Sequence, residues 1–184
     1  MTSADRQLTD SDRLADLIGA RLRDVEDFPQ AGVTFKDITP LLADPEAFGA
    51  CVASLAALPA ARDADLVAGV EARGFVVAAA LAHAVHAGVV PIRKAGKLPP
   101  PTVSATYELE YGSAEIEVPL GLLDGKRVYL VDDVLATGGT LRASIELLSR
   151  AGASVTGVGV LVELSFLAGR DRLSDHDLTV LLTL

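Results

Sequence analysis

The residues best suited to chemistry form one string, Asp132-Asp133-Val134-Leu135-Ala136-Thr137-Gly138-Gly139-Thr140, directly behind the apolar run VYLV. Small residues at 136–140 let successive backbone N–H groups point into one concavity. A helix starting there adds the positive end of its dipole, with two threonine hydroxyls beside it. Such a concavity cradles phosphate. It lacks the lysine of a GxxxxGK[ST] loop and does not match GxGxxG, which disfavours nucleotide triphosphatase and dinucleotide chemistry. The two carboxylates ahead of it repel phosphate but accept hydrogen bonds from sugar hydroxyls. Each half alone has an ordinary alternative, Asp-Asp as a strand-end cap and Gly-Gly as a turn. Joined, they suit a phosphorylated sugar.

Positive charge for further phosphate groups has to come from other segments. Arg73 follows the apolar run 65–70, and Arg93, Lys94 and Lys97 follow the run 89–92, with no acid between 88 and 98. A solvated basic turn is the plain alternative. On a chain with a formal net charge of −9, however, a concentrated cationic patch makes a sensible landing site for pyrophosphate. The same net charge argues against general nucleic-acid binding, which needs a positive surface.

The elements that must position these residues can be read from periodicity. Leu14, Leu17, Ile18 and Leu22 predict a helix within 10–24, and Phe48, Val52 and Leu55 another over 44–61. Between them, 28–45 holds three prolines and reads as an ordered irregular segment, of the kind that often contacts ligand. Strands are predicted at 65–70, 89–92, 126–131, 155–162 and 177–182, with helices at 74–86 and 138–150. Two β-leaning runs within 103–118 flank Tyr111-Gly112-Ser113 as a hairpin or flap. Alternating strands and helices imply an α/β fold with a largely parallel sheet flanked by helices, whose ligands bind beyond the carboxyl ends of the strands.

The remaining features bound the reading. With 184 residues and no linker, repeat or low-complexity tract, one domain over 1–184 is the simplest organisation. Half the residues are hydrophobic, yet no apolar run approaches the ~20 residues of a membrane span. The first residues alternate acids and bases without an apolar leader core, so a cytoplasmic location is expected, with no membrane partner. Cys51, the single cysteine, sits in a helical apolar context and is expected to be a buried, inert thiol. His83 and His86, three apart, make at most half a metal site, and His176 belongs to a polar turn.

The string VYLVDDVLATGGT closely resembles the motif with which the type I phosphoribosyltransferases bind 5-phosphoribosyl-1-pyrophosphate (PRPP). Four further stretches, FPQAGVTFKDITPLLADPEAF (28–48), GVEARGFVVAAALA (69–82) with PIRKAGKLP (91–99), YELEYGSAEIEV (107–118) and LVELSFLAGRDRL (161–173), resemble their counterparts in the adenine phosphoribosyltransferases. The likeness covers nearly everything after residue 27. It implies the type I phosphoribosyltransferase fold with a small base-binding hood at 28–45 and a catalytic flap at 99–117, and it implies a homodimer.

The activity so implied is purine salvage, converting adenine and PRPP to AMP and pyrophosphate with Mg²⁺ held mainly by substrate oxygens rather than by protein ligands. Residue by residue, Asp132 and Asp133 would hold the ribose hydroxyls, and Ala136, Thr137, Gly138, Gly139 and Thr140 the 5-phosphate. Arg73, Lys94 and Lys97 would contact pyrophosphate. Glu110 would be the catalytic glutamate, as base or as polariser of the ring, with Tyr111 covering the site. Phe35 would lie against the purine, with the backbone around Thr34 and Lys36 reading its edge. Two departures stand out: many relatives have arginine at the position of Lys36, and some have lysine at that of Ser113. A transferase for another purine is the nearest alternative. A catalytically silent PRPP sensor is a second, and it would need a DNA-binding segment for which residues 1–27 are too short.

Overall fold

The computed structural model describes residues 9–108 and 113–184. The chain divides into two compact units, one up to Cys51 and one over Val52–Leu184.

In the first unit, helix α1 (Asp10–Gly19) starts at Thr9, whose hydroxyl accepts from Asp12 N–H at 3.1 Å while the Asp12 carboxylate accepts from Thr9 N–H at 2.9 Å. This reciprocal box satisfies two of the donors that every helix start leaves over. Strands β1 (Arg23–Val25) and β2 (Phe35–Asp37) pair antiparallel, and helix α2 (Thr39–Ala43) follows. The buried Asp37 carboxylate turns the chain from β2 into α2: it accepts from Thr39 N–H at 2.8 Å and meets Arg23 at 2.5 Å. Hydrogen bonds from Thr39, aided by Arg23, hold its carboxyl down at about 2. The segment 28–45 is therefore more regular than its prolines suggest, because a cross-strand partner lies outside it, at 23–25.

The helix predicted over 44–61 is two helices, α3 (Pro45–Ala56) and α4 (Pro59–Arg62). Pro59 forces the break: its ring drives the preceding Leu58 out of helical backbone to φ −71°, ψ 133°.

The second unit is a seven-stranded sheet in the order β5-β6-β4-β3-β7-β8-β9. Its strands are β3 (Leu66–Val70), β4 (Gly88–Lys94), β5 (Thr102–Glu108), β6 (Ser113–Pro119), β7 (Arg127–Leu135), β8 (Ser154–Glu163) and β9 (Leu178–Thr183). From β4 to β9 all neighbours are parallel, while β6 runs antiparallel to β4 and β5 to β6. The crossovers β3 to β4 and β7 to β8 are helices α5 (Gly74–Val85) and α6 (Gly139–Arg150). Alternation along β7 covers both faces of the sheet. Val128 and Leu130 join the cluster that includes Leu141, Ile145 and Leu148 of α6, while Tyr129 points the other way and packs over Gly157 and Gly159.

Two details of this sheet place the functional residues. Pairing of β3 with β7 ends at Gly69 opposite Val131, whereas pairing of β8 with β7 continues to Glu163 opposite Leu135. The strand predicted to end at 131 thus runs on to 135, because one neighbour still holds it. On its other side, residues 132 and 133 face the turn that follows β3. That turn is tight against the sheet: a Cβ at Gly69 would lie 2.6 Å from Ala78 Cβ and 2.7 Å from Gly74 O. A Gly69→Ala variant is expected to lose roughly 1–3 kcal/mol of stability, the usual cost of overpacking. Urea denaturation checks it, and a midpoint equal to wild type would show that the turn relaxes freely.

Candidate active site

Asp132 and Asp133 sit inside β7, three and two residues from its end, rather than beyond it. The Asp132 side chain accepts a hydrogen bond from Asp133 N–H at 2.9 Å. Burial, and next the charge of Asp133, push the Asp132 carboxyl well above the usual carboxylate range. Asp133 is not the surface-facing carboxylate that a strand-end position suggests. It is 5% exposed, and Arg73, the residue before α5, brings Nε to 2.6 Å from its Oδ2. The contact is an ion pair whose N–H does not aim along the oxygen, since that oxygen has no aligned hydrogen-bond donor. The missing β3 pairing beyond Val131 is what leaves room for the arginine.

Past Leu135 the backbone turns through Ala136 and Thr137 into α6, and Asp132 and residues 134–141 line a small concavity. Gly138 is the N-cap of α6 with φ +78°, a conformation that a side chain would strain. Space forbids a side chain too, since a Cβ there would lie 2.5 Å from Gly169 O. The structure therefore brings Asp132 and residues 136–140 together around the N-terminus of α6, where leftover N–H groups and the helix dipole favour an anion, while Asp133 lies outside that lining, buried beside Arg73. Thr140 lies within hydrogen-bond distance of the flap strand as well: its hydroxyl reaches the Tyr107 hydroxyl at 3.3 Å.

Lys94 and Lys97 are both exposed near the end of β4. The loop that presents them is shaped by carboxylates that are distant in sequence. Glu71 accepts from Lys94 N–H at 2.9 Å and pairs with Arg93 at 3.4 Å, and Glu117 on β6 accepts from Lys97 N–H and Leu98 N–H, both at 2.8 Å. Arg93 also donates to Lys97 O at 3.0 Å, so its role is architectural. These bonds, led by the Lys94 N–H for Glu71 and the Leu98 N–H for Glu117, hold both carboxyls below their usual range. The stretch free of acids in sequence is thus lined by two acids in space.

In the first unit, Phe35 meets Phe28 edge to face, with centroids 5.2 Å apart, and Phe28 is half exposed. Thr34 is exposed just before β2, and Lys36 Nζ lies 2.7 Å from Asp24 across the β1–β2 pair. Glu110 and Tyr111 lie outside the described residues. Cys51 is fully buried and its thiol is pushed up to about 11 by burial, which makes it a poor nucleophile. Among the described residues, no three His, Cys, Asp or Glu side chains gather as metal ligands, and no helix is long and apolar enough to cross a membrane. Sequence reasoning missed Gly169 against the cradle and Glu71 and Glu117 beneath the cationic loop. Their only signal was membership of stretches noted for other residues.

Comparison with known proteins completes the description of the site. A family model for the phosphoribosyl transferase domain matches residues 52–182. An adenine phosphoribosyltransferase of Frankia casuarinae is 54% identical over 174 residues, 94% of this chain and 93% of that one. Among solved structures, the adenine phosphoribosyltransferase of Rhodothermus marinus superposes with a TM-score of 0.88 at 41% identity, covering 94% of this chain and 99% of that one. The APRTase of Giardia lamblia in complex with 9-deazaadenine gives 0.84 at 35% identity, covering 93% and 97%.

The raised Asp132 carboxyl has a consequence for stability. A group whose pKa is higher folded than unfolded stabilises fully below its unfolded value, near 3.8, and that contribution is lost as pH rises through the folded value. Asp132→Asn keeps the shape and carries no charge to bury. The variant is therefore expected to melt higher than wild type at neutral pH, with the gain shrinking towards about pH 4. Calorimetry across that range checks it, and a wild type that melts as high as the variant throughout would show that Asp132 ionises without penalty.

Proposed function

The chain belongs to the phosphoribosyl transferase family, among its adenine phosphoribosyltransferases, and on that premise we propose how these residues join adenine to PRPP to release AMP and pyrophosphate. It is a transferase of purine salvage. The observation that carries the residue assignment is the adjoining of two carboxylates and a backbone anion cradle at one end of β7, with Arg73 at hand. Carboxylates accept from the ribose hydroxyls, the cradle at 136–140 donates to the 5-phosphate, and cations meet the pyrophosphate.

In the structure, Arg73 and Asp133 neutralise each other. Bound PRPP offers each a replacement, hydroxyl donors for the carboxylate and phosphate oxygens for the guanidinium, so the exchange keeps both charges compensated. The exposed Lys94 and Lys97 supply the further charge that a departing pyrophosphate needs, and preplaced cations of this kind stabilise leaving-group charge without reorganising. The carboxylates already near the site are engaged by Arg73 or by backbone N–H groups, a donor set suited to Mg²⁺ held by substrate oxygens and water. When bound there, the ion would neutralise pyrophosphate charge. The hairpin 99–117 would close over the reactants and exclude water, and Glu110 would handle the purine proton or polarise the ring.

For the base, Phe35 offers an aromatic face, and the backbone beside Thr34 and Lys36 offers alternating donors and acceptors. The Lys36 ammonium sits on Asp24, which supports reading by backbone rather than by that side chain. Adenine has a donor at its 6-amino group beside an acceptor at N1, and hypoxanthine reverses the pair. A rigid backbone matched to one leaves buried polar groups unpaired with the other, enough to discriminate by ~10⁴-fold. The whole chain, 1–184, would then work as one domain in the cytoplasm, with residues 28–45 as the hood.

Adenine and hypoxanthine competing for limiting PRPP with magnesium present should therefore give AMP almost alone, in wild type and in Thr34→Val; comparable AMP and IMP would remove the hood from purine choice. In the same assay Glu110→Gln should lower kcat at least ~100-fold with PRPP binding little changed, as for a group acting on the reacting centre. Equal turnover would take Glu110 out of the chemistry. A homodimer is proposed from the family and from Leu120, Leu122 and Phe166, which are 53%, 60% and 74% exposed. Sedimentation should find two chains at micromolar concentration, and a monomer there would refute the dimer.

A further inference from the structure

A cradle built from backbone N–H groups has no long side chain with which to adapt, so its fit to a phosphate depends on what holds the backbone from behind. Here one segment packs directly against that backbone. After β8 the chain leaves the sheet through Leu164, whose N–H donates to Leu135 O at 2.9 Å, and makes two short 3₁₀ turns, Ser165–Leu167 and Gly169–Leu173. At Ala168 the backbone is left-handed, φ +52°, and it delivers the buried Gly169 onto the cradle. Gly169 O sits 2.5 Å from where a Gly138 Cβ would be, and a Cβ on Gly169 would run into Ala136 O and lie 2.9 Å from Gly138 N. The two backbones touch with only hydrogens between them. At this distance neither backbone can move towards the other without a clash.

What pins this strap is an ion pair in an expensive place. Glu163, the last residue of β8, is 3% exposed. A carboxylate so buried is strongly unfavourable unless its charge and lone pairs are met. Arg170, next to Gly169, meets both with a two-pronged contact, Nε to Oε1 at 3.0 Å and Nη2 to Oε2 at 2.6 Å, and the Thr183 hydroxyl adds a contact at 3.3 Å from the end of β9. The planar fork fixes direction as well as distance, which an ammonium cannot do. An apolar pair would fill the same space at less electrostatic cost but would not index the strap to the end of β8 in this way.

We propose that Glu163 and Arg170 are positioning residues for the 5-phosphate cradle, acting through Gly169 on the backbone of residues 136–138. The inference rests on the reading of that cradle as the PRPP phosphate site. Neither residue touches substrate, so loosening them should weaken phosphate binding and spare the base.

Steady-state kinetics on Glu163→Gln, Arg170→Lys and Gly169→Ala test this, together with melting temperatures and with AMP and adenine binding measured well below melting. Glu163→Gln and Arg170→Lys keep the volume, and Arg170→Lys also keeps the charge, so folding is expected for both. The expected result is a KM for PRPP raised about 10-fold or more in all three, with AMP binding weakened in parallel and the KM for adenine within about 2-fold, misplacement of a binding backbone being costly even at sub-ångström scale. A merely structural pair would lower melting temperatures and leave the PRPP KM alone, and that result overturns the proposal. So does a variant in which adenine and PRPP constants rise together. A wild type that makes no nucleotide from PRPP would instead overturn the reading beneath it.

Discussion

The site depends on a mismatch in strand pairing. β7 loses its β3 neighbour after Val131 and keeps its β8 neighbour as far as Leu135. For four residues the strand is held from one side only, and the two carboxylates belong to the first two of these residues. Had β3 continued, its backbone would fill the space that Arg73 now occupies beside Asp133. Had β8 stopped as well, the carboxylates would sit on a loop and their spacing would not be set by a pleat. Parallel sheets place ligands at the carboxyl ends of their strands for this general reason, since that is where ladders end unevenly and helices begin.

The energetic character of the site follows. Asp132, half-buried at the concavity, is adjacent to the buried Asp133, an arrangement that raises the Asp132 carboxyl and needs a cation to offset it. Arg73 supplies part of that offset. The protein therefore carries an electrostatic cost in the candidate site, as preorganised sites commonly do. An acidic chain must also hold a polyanionic substrate. The devices proposed for this are local: N–H groups at the start of α6, and a loop of lysines whose backbone is tethered to Glu71 and Glu117. The two acids accept from main-chain N–H groups, so they give the loop its shape while the lysine side chains extend to solvent.

The first unit faces a different problem, ordering an aromatic face and a short stretch of backbone on very short strands. β1 and β2 are three residues each, too short to be stable as an isolated pair. Charged contacts do much of the work of defining them: Arg23 with Asp37 and Lys36 with Asp24 tie the two strands together, and Arg21 reaches Asp44 at the entrance to α3. Phe28 meets Phe35 edge to face at the end where the connecting loop joins the two strands.

The candidate site was legible in the sequence wherever it is made of consecutive residues. An apolar strand, two acids, small residues and a helix start is a local pattern, and local patterns survive folding; so did the alternation of strands and helices, because parallel pairing demands crossovers. What the sequence could not show was anything set by two segments meeting. The burial of Asp133 depends on where β3 stops, and the two-strand order at 23–37 depends on a partner outside the proline-rich run. The Glu71 and Glu117 bridges span about 20 residues or more, and the contact of Gly138 with Gly169 spans about 30. Residue type and spacing determine which groups are available. Distance, burial and pairing, which decide the charge a carboxylate carries and whether a backbone can move, are properties of the packed chain alone.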